Sequence, residues 1–254
     1  MKRRLGVLAV VWAFTGRSHP PETDEEKSAR LEREQLPKVQ KMAEAGNAEA
    51  QYRMGLFAFL GKVIPQNTAE AILWWRKAAD QNHLPAEHDS GVDYCDGKIV
   101  PQDPGEGIRW LRKVAEQGEE ASGDFAVLSD IEDARTRLGM AYWYGTGVKR
   151  DYAEAVKWHL KSAEQGDGLS QKAVAEAYAE GKGVKRDYVR AHKWANPAKL
   201  AAVSNSRFPN EQRESEKLRA VLASEMTPTQ IEEAEKLARE WKPSRQSPKL
   251  STVP

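Results

Sequence analysis

The sequence predicts an all-α fold: an α-solenoid of stacked helix-turn-helix repeats, about ten helices in all, finished by C-terminal capping helices. Three observations predict it. Gly61, Gly97, Gly145 and Gly181 stand 36, 48 and 36 residues apart. Trp74, Trp110, Trp158 and Trp194 keep those intervals, and so do Asn67, Asp103, Asp151 and Asp187. Gly46, Asn82, Gly118 and Gly166 run 36, 36 and 48, which places one insertion of 12 residues between Gly118 and Gly139. Series that share one register are the mark of a tandem repeat.

Composition narrows the function classes. The chain has 254 residues, and 39 Lys+Arg against 38 Asp+Glu leave a net charge of +1, so nothing asks for nucleic acid or an anionic membrane as partner. Hydrophobic residues make up 40%, enough for a core. Cys95 is the only cysteine. No intramolecular disulfide can form, so packing must supply the stability.

Residues 1–16 read as a signal peptide or short anchor. Met1-Lys2-Arg3-Arg4 is basic, and Leu5 to Phe14 is apolar apart from Gly6, the layout of a secretory signal. The stretch is too short for a bilayer, which takes about 20 residues. A cut would fall after Thr15 or Gly16. This start directs the protein to the periplasm or out of the cell. Left uncut, residues 5–16 would anchor it to a membrane. No other segment is apolar enough to cross one, so no membrane insertion is expected once the signal is removed.

Residues 17–30, with Pro20-Pro21 and a run of acids, read as a flexible leader. Residues 31–46 form the second helix of a degenerate leading unit, bent or split at Pro37. Four units follow at 47–82, 83–118, 119–166 and 167–202, so the solenoid spans 31–203. In three of them the second helix starts with an N-cap and a Glu three residues on: Asn67 and Glu70, Asp103 and Glu106, Asp151 and Glu154. That pattern is a capping box. Pro104 takes the first helical position. The fourth copy has Arg190 in place of the Glu. The second helices of the leading unit and the first three units stop at Gly46, Asn82, Gly118 and Gly166, residues that tolerate the left-handed conformation. Trp74, Trp110, Trp158 and Trp194 hold a repeat position and are assigned to the core. The insertion carries Phe125, Leu128 and Ile131 at helical spacing, which extends the next helix. Residues 204–241 are capping helices, the last opened by Thr227-Pro228-Thr229-Gln230. Residues 242–254 have no apolar period and read as a disordered tail.

Leu138-Gly139, Tyr142, Gly145, Gly147-Val148, Asp151, Ala155, Trp158, Ala163 and Gly166 resemble the Sel-1-like repeat, a relative of the tetratricopeptide repeat. The fourth copy departs from it with Ala175 for the helix glycine and Pro197 inside the second helix. The resemblance implies an α-solenoid that serves as a scaffold or adaptor for a peptide or protein. It further implies that first helices line the concave surface. Carried over from Gly55, the inward positions are Tyr52, Leu56, Phe59 and Leu60. From Gly91 they are His88, Val92, Cys95 and Asp96. From Gly139 they are Thr136, Met140, Trp143 and Tyr144, and from Ala175 they are Lys172, Glu176, Ala179 and Glu180. Exposed aromatics are the usual interface anchors, although Phe59, Trp143 and Tyr144 fit equally well as packing between units. The insertion at 119–133 is a second candidate surface.

No catalytic constellation is legible. His19, His83, His88, His159 and His192 form neither a His-x-x-x-His nor a His-Glu-x-x-His pair, so no metal is expected. Gly145-Thr146-Gly147 lacks the Lys-Ser/Thr ending of a phosphate cradle. Some members of the resembled family are cysteine-rich and linked to β-lactam binding, and their paired cysteines are absent here. The expected function is therefore a non-enzymatic, monomeric scaffold or adaptor without cofactor that binds a protein or peptide partner on its concave face in the cell envelope. The alternatives are a cell-wall-related hydrolase or ligand-binding lactamase relative, and a membrane-tethered structural spacer.

Overall fold

The computed structural model describes residues 23–117, 125–196 and 209–243. The signal-like residues 1–16, Gly118, Pro197 and the tail from 244 onward lie outside the described residues. Among the described residues there are eleven helices and no strand, as an α-solenoid requires. The chain divides into two compact units at Trp74/Trp75.

The first unit holds α1 (Asp24–Glu44), α2 (Ala48–Leu60) and the beginning of α3 (Thr68–Ala79). α1 starts well inside the segment expected to be a flexible leader. A complete capping box causes this: Thr23 accepts the Glu26 amide, and Glu26 takes the Thr23 amide at 2.9 Å. Three acids in the first turn favour the positive helix start. Pro37 neither ends nor splits the helix. It lies on the exposed side, where water can serve the carbonyl it leaves unpaired. Val39 and Ala43 of α1 pack on Ala50, Met54 and Phe57 of α2, with Trp74 against the edge of this cluster.

The second unit continues with α4 (Leu84–Asp96), α5 (Pro104–Glu116), α6 (Phe125–Tyr144), α7 (Tyr152–Gln165), α8 (Gly168–Glu180) and α9 (Tyr188–Trp194). α10 (Pro209–Ser224) and α11 (Pro228–Glu240) close it. Each helix from α4 to α8 packs on the next, and α4 also touches α6, as α6 touches α8. First helices of successive repeats thus stand side by side.

The repeated positions explain the elements. Asp103, Asp151 and Asp187 cap their helices by accepting the amide three residues on. Their Glu partners do not close the expected boxes: Glu106 pairs with Arg109, and Glu154 with Lys157 at 3.0 Å. The N-cap amides that would close the boxes are already used: Asp103 donates to the Tyr94 carbonyl and Asp151 to the Tyr142 carbonyl, each at 2.9 Å. Gly46, Asn82 and Gly166 have φ of +95°, +61° and +103°, the left-handed stop. Of the Trp series, Trp158 and Trp194 are buried, while Trp74 and Trp110 are half-buried. The Trp74 indole N–H donates to Glu70, and Lys113 covers the Trp110 ring at 5.1 Å. Both keep a polar partner at the surface, and the neighbouring Trp75 and Leu111 fill the interior.

One side chain per repeat reaches back to the helix before it. The Gln51 amide donates to the Ala43 carbonyl, Arg135 to Ala115 and Gln171 to Ala163, at 3.1, 3.3 and 3.1 Å. The second copy places Glu87 there. A carboxylate cannot donate to the matching Ala79 carbonyl. It accepts from Lys113 and Gln117 instead, at 2.6 and 3.2 Å.

α6 has 20 residues where α2, α4 and α8 have 13, so the insertion does lengthen the helix, and Ile131 is buried in its core. α9 has only 7 residues and stops at Ala195, ahead of Pro197, which disfavours helix in the residue before it. Over α9 lie α10 and α11. Leu222, Met226 and Ala234 cover Ala191 and Trp194, and Trp241 meets Trp194 edge-on at 5.7 Å. These helices seal the last apolar face, which an array needs in order to end.

Candidate partner-binding face

The first helices α2, α4, α6 and α8 carry the positions nominated for partner binding. On α2, Tyr52, Leu56 and Phe59 are half-buried, and Leu60 is exposed. On α4, Val92 and Cys95 lean on the core, and His88 is tied up internally. Its Nε2 meets Asp133 at 2.9 Å, and its Nδ1 meets Asp89 and Asp130 at 3.3 and 3.8 Å. Arg137 joins through Asp133 at 2.6 Å and Asp96 at 3.5 Å. Burial opposes a charged imidazole, yet the bonds to Asp133 and Asp89 and the charge of Asp130 raise His88 to about 9. His88 is therefore a strut between α4 and α6 rather than an open contact. Beside it, burial and the charges of Asp89 and Asp96 raise Asp93 to about 6.

Thr136, expected on the open face, is buried. Its hydroxyl lies 2.8 Å from Ser162 and 3.2 Å from Ser170, and it donates to Asp167 at 3.3 Å. It belongs to a polar seam where α6, α7 and α8 meet. The reason is register: Thr136 stands one turn below the Leu138-Gly139 anchor, on the side where Ser162 and Ser170 approach.

The remaining nominated residues come together. Met140, Trp143 and Tyr144 of α6 and Lys172 and Glu176 of α8 line one cleft of about 110 Å³. Tyr144 is 71% exposed, and Trp143 meets Tyr152 edge-on at 5.1 Å, which fixes its ring. Leu169 and Ala173 add apolar wall, and His159 of α7 forms part of the lining. Sequence reasoning missed these three. Leu169 and Ala173 follow from the helical offset to Lys172 and Glu176. His159 had a subtler signal, since it follows Trp158 where other copies carry Trp75, Leu111 and Ala195. Its ring lies against Gly139, where an added Cβ would stand 2.6 Å from it.

No group of three or more potential metal ligands exists among the described residues. No described helix is long and apolar enough to cross a membrane.

A profile described as the Sel1 repeat matches residues 48–83, 85–119, 132–167 and 168–201, more than half of the chain. The chain belongs to the Sel1 repeat family. No curated protein matches it. Among solved structures it is similar to a protective antigen present in uropathogenic Escherichia coli strains, displaying an SLR fold, at 30% identity and a TM-score of 0.56, over 81% of this chain and 48% of that one. It is also similar to a Sel1 repeat protein from Oxalobacter formigenes, at 25% identity and a TM-score of 0.58, over 80% and 52% of the two chains. This chain thus spans about half the length of these relatives. Sel1 repeats are in general protein-interaction scaffolds, and the fold is typically non-catalytic.

Proposed function

We propose that this Sel1 repeat chain is a non-catalytic adaptor in the cell envelope that captures a peptide or protein on the face formed by the first helices α4, α6 and α8, anchored at the cleft between α6 and α8. The observation that carries this reading is the convergence of Met140, Trp143, Tyr144, Lys172 and Glu176 on one cleft. Apolar and aromatic walls with a few polar groups suit a binding pocket, and a largely exposed tyrosine suits an anchor. The basic and then apolar start supports export.

A photo-crosslinking residue at Tyr144, with a control at the exposed Arg109, tests the face in envelope extracts. Crosslinks from Tyr144 alone are expected, and a Trp143→Ala variant should lose them with an unchanged far-UV spectrum and melting temperature. Equal crosslinking from Arg109, or capture indifferent to Trp143, sinks the reading. N-terminal sequencing of protein recovered from the envelope should begin near residue 16 or 17; an intact Met1 on cytosolic protein sinks the export claim.

A further inference from the structure

The loops that join first to second helices are of two kinds. In the first two repeats a glutamine turns back on the helix before it: the Gln66 and Gln102 amides donate to the Phe59 and Cys95 carbonyls at 2.9 and 2.8 Å. The same position holds Arg150 in the third repeat and Arg186 in the fourth. Neither makes that bond, or any ion pair, among the described residues. Each guanidinium lies instead over the ring of the tyrosine two residues on, Tyr152 at 5.6 Å and Tyr188 at 5.7 Å. Lys149 and Lys185 precede them, exposed and without a paired acid among the described residues. The turn itself does not call for these cations, since Gly61 and Gly97 start it in the same left-handed conformation with glutamine in their place.

The acids beside these cations are engaged elsewhere. Asp151 accepts the Ala153 and Glu154 amides. Asp187 accepts the Arg190 amide and lies 3.4 Å from its guanidinium. Glu154 pairs with Lys157, and Glu180 with Lys182. Residues 145–152 and 181–188 hold Lys149, Arg150, Lys182, Lys185 and Arg186 against Asp151 and Asp187. With Glu180 counted against its Lys182, a surplus of two positive charges remains, in a chain whose net charge is +1. The corresponding loop of the second repeat has none: Lys98 is held by Asp96, and Asp103 stands alone as cap. The two basic loops also touch. Gly183 lies against the Tyr152 carbonyl and the Ala153 amide with no room for a Cβ, and Lys182 reaches over the Tyr152 ring at 5.8 Å. They form one continuous edge at the C-terminal ends of α6 and α8.

We propose that this edge is a docking surface for an extended acidic segment of a partner protein, with one carboxylate taken by Arg150 and a second by Arg186. The surface lies outside the cleft, and the inference holds whatever the cleft receives. A guanidinium presents a planar fork that grips a carboxylate with two parallel bonds. Stacking on a tyrosine holds the fork in place while leaving its N–H edge open, which lowers the ordering cost of binding. The two forks occupy one position of neighbouring repeats, so they recur at the packing distance of adjacent helices, roughly 10 Å. In a polyproline-like chain, residues three apart share a face at about 9 Å. The matching ligand therefore carries acids three residues apart. Nucleic acid fits less well, because its binders neutralise roughly six to ten phosphates and the positive surplus here is confined to two loops.

The test uses the full chain and terminally blocked peptides of Pro, Ala and Ser that carry two glutamates three residues apart, or two glutamines or two lysines at the same places. Binding is read from backbone and arginine Nε–H NMR shifts. The glutamate peptide should bind about tenfold more tightly than the glutamine peptide, with shifts confined to residues 145–152 and 181–188. Raising the salt from about 50 to about 300 mM should weaken it. The variant Arg150→Gln with Arg186→Gln copies the loops of the first two repeats, so it should keep its far-UV spectrum and melting temperature and lose the tenfold preference. Arg150→Lys with Arg186→Lys keeps both charges without the forks and should lose about threefold. Lys236→Gln with Arg239→Gln, which removes two exposed cations from α11, should change nothing. The proposal is overturned if the glutamine peptide binds as tightly as the glutamate peptide. It is equally overturned if the double glutamine variant at 150 and 186 binds like the parent, or if the α11 variant loses as much. A twelve-residue oligothymidylate that binds more tightly than the glutamate peptide would replace the acidic segment with nucleic acid.

Discussion

At the residue scale, one pair of positions trades volume between repeats. Gly91 lies against Leu111, Gly139 against the His159 ring, and Ala175 in the cluster with Ala195. The first helix gives up a side chain where the second carries a large one. Gly139→Ala should therefore destabilise the protein, although alanine in an open helix gains about 0.5–1 kcal/mol over glycine. The new methyl would enter a ring already held by Ser170, and overpacking of this kind costs about 1–3 kcal/mol. Urea unfolding measures it. In a His159→Ala background the same substitution should cost little, since that pair copies Ala175 and Ala195. Equal losses in both backgrounds would show that the ring is not what Gly139 makes room for. The sequence displayed Gly139 as a repeat glycine but not its reason, because the reason is a contact with a residue 20 positions away.

At the scale of elements, most of the architecture was legible because caps and stops are local chemistry. Asp103, Asp151 and Thr227 start helices where their side chains accept an amide, and Gly46 and Gly166 stop them where φ turns positive. The misplaced start was α1. The acids at 24–26 read as a solvated run, whereas Thr23 and Glu26 close a capping box over them. The cap on α11 gives a direct check. Thr227→Ala removes the acceptor of the Gln230 amide and opens its box, at about 1 kcal/mol. The cost should appear in the global unfolding midpoint, because α11 packs on α9. A loss confined to the helicity of α11, with the midpoint unchanged, would mean that the capping helices are not part of the cooperative core. The candidate site was legible only in part. Met140, Trp143, Tyr144, Lys172 and Glu176 were named by the family resemblance, carried over from the repeat anchor. His88, Thr136 and His159 could not be sorted into strut, seam and floor, because burial by neighbouring repeats decides those roles and spacing does not.

At the scale of the whole molecule, the buried His159 and the half-buried His88 set opposite pH limits. His159 is lowered to about 4 in the folded chain. Below its ordinary value near 6.5 the unfolded chain takes up a proton that the folded chain refuses, so stability falls as pH drops from about 6.5 towards 4. Asp93, raised to about 6, offsets part of that loss by binding its proton early in the folded state. His88 is raised to about 9. Its contribution is complete below about 6.5 and is lost as pH rises through 9, with each histidine worth roughly 3 kcal/mol at its limit. Denaturant unfolding from pH 4.5 to 9.5 should give a maximum near neutrality, and His88→Asn should flatten the alkaline side. An alkaline side unaffected by that substitution would remove His88 from this role. The backward bonds of Gln51, Arg135 and Gln171 give the array something else: a grammar of succession. Each repeat can follow any helix whose last turn offers a carbonyl, except the second, whose Glu87 brings no donor and asks for Lys113 and Gln117 from its own partner helix. The units are thus not interchangeable bricks. Anyone lengthening this protein should copy the third or fourth repeat, because a duplicated second repeat would leave an unmade joint each time it was inserted.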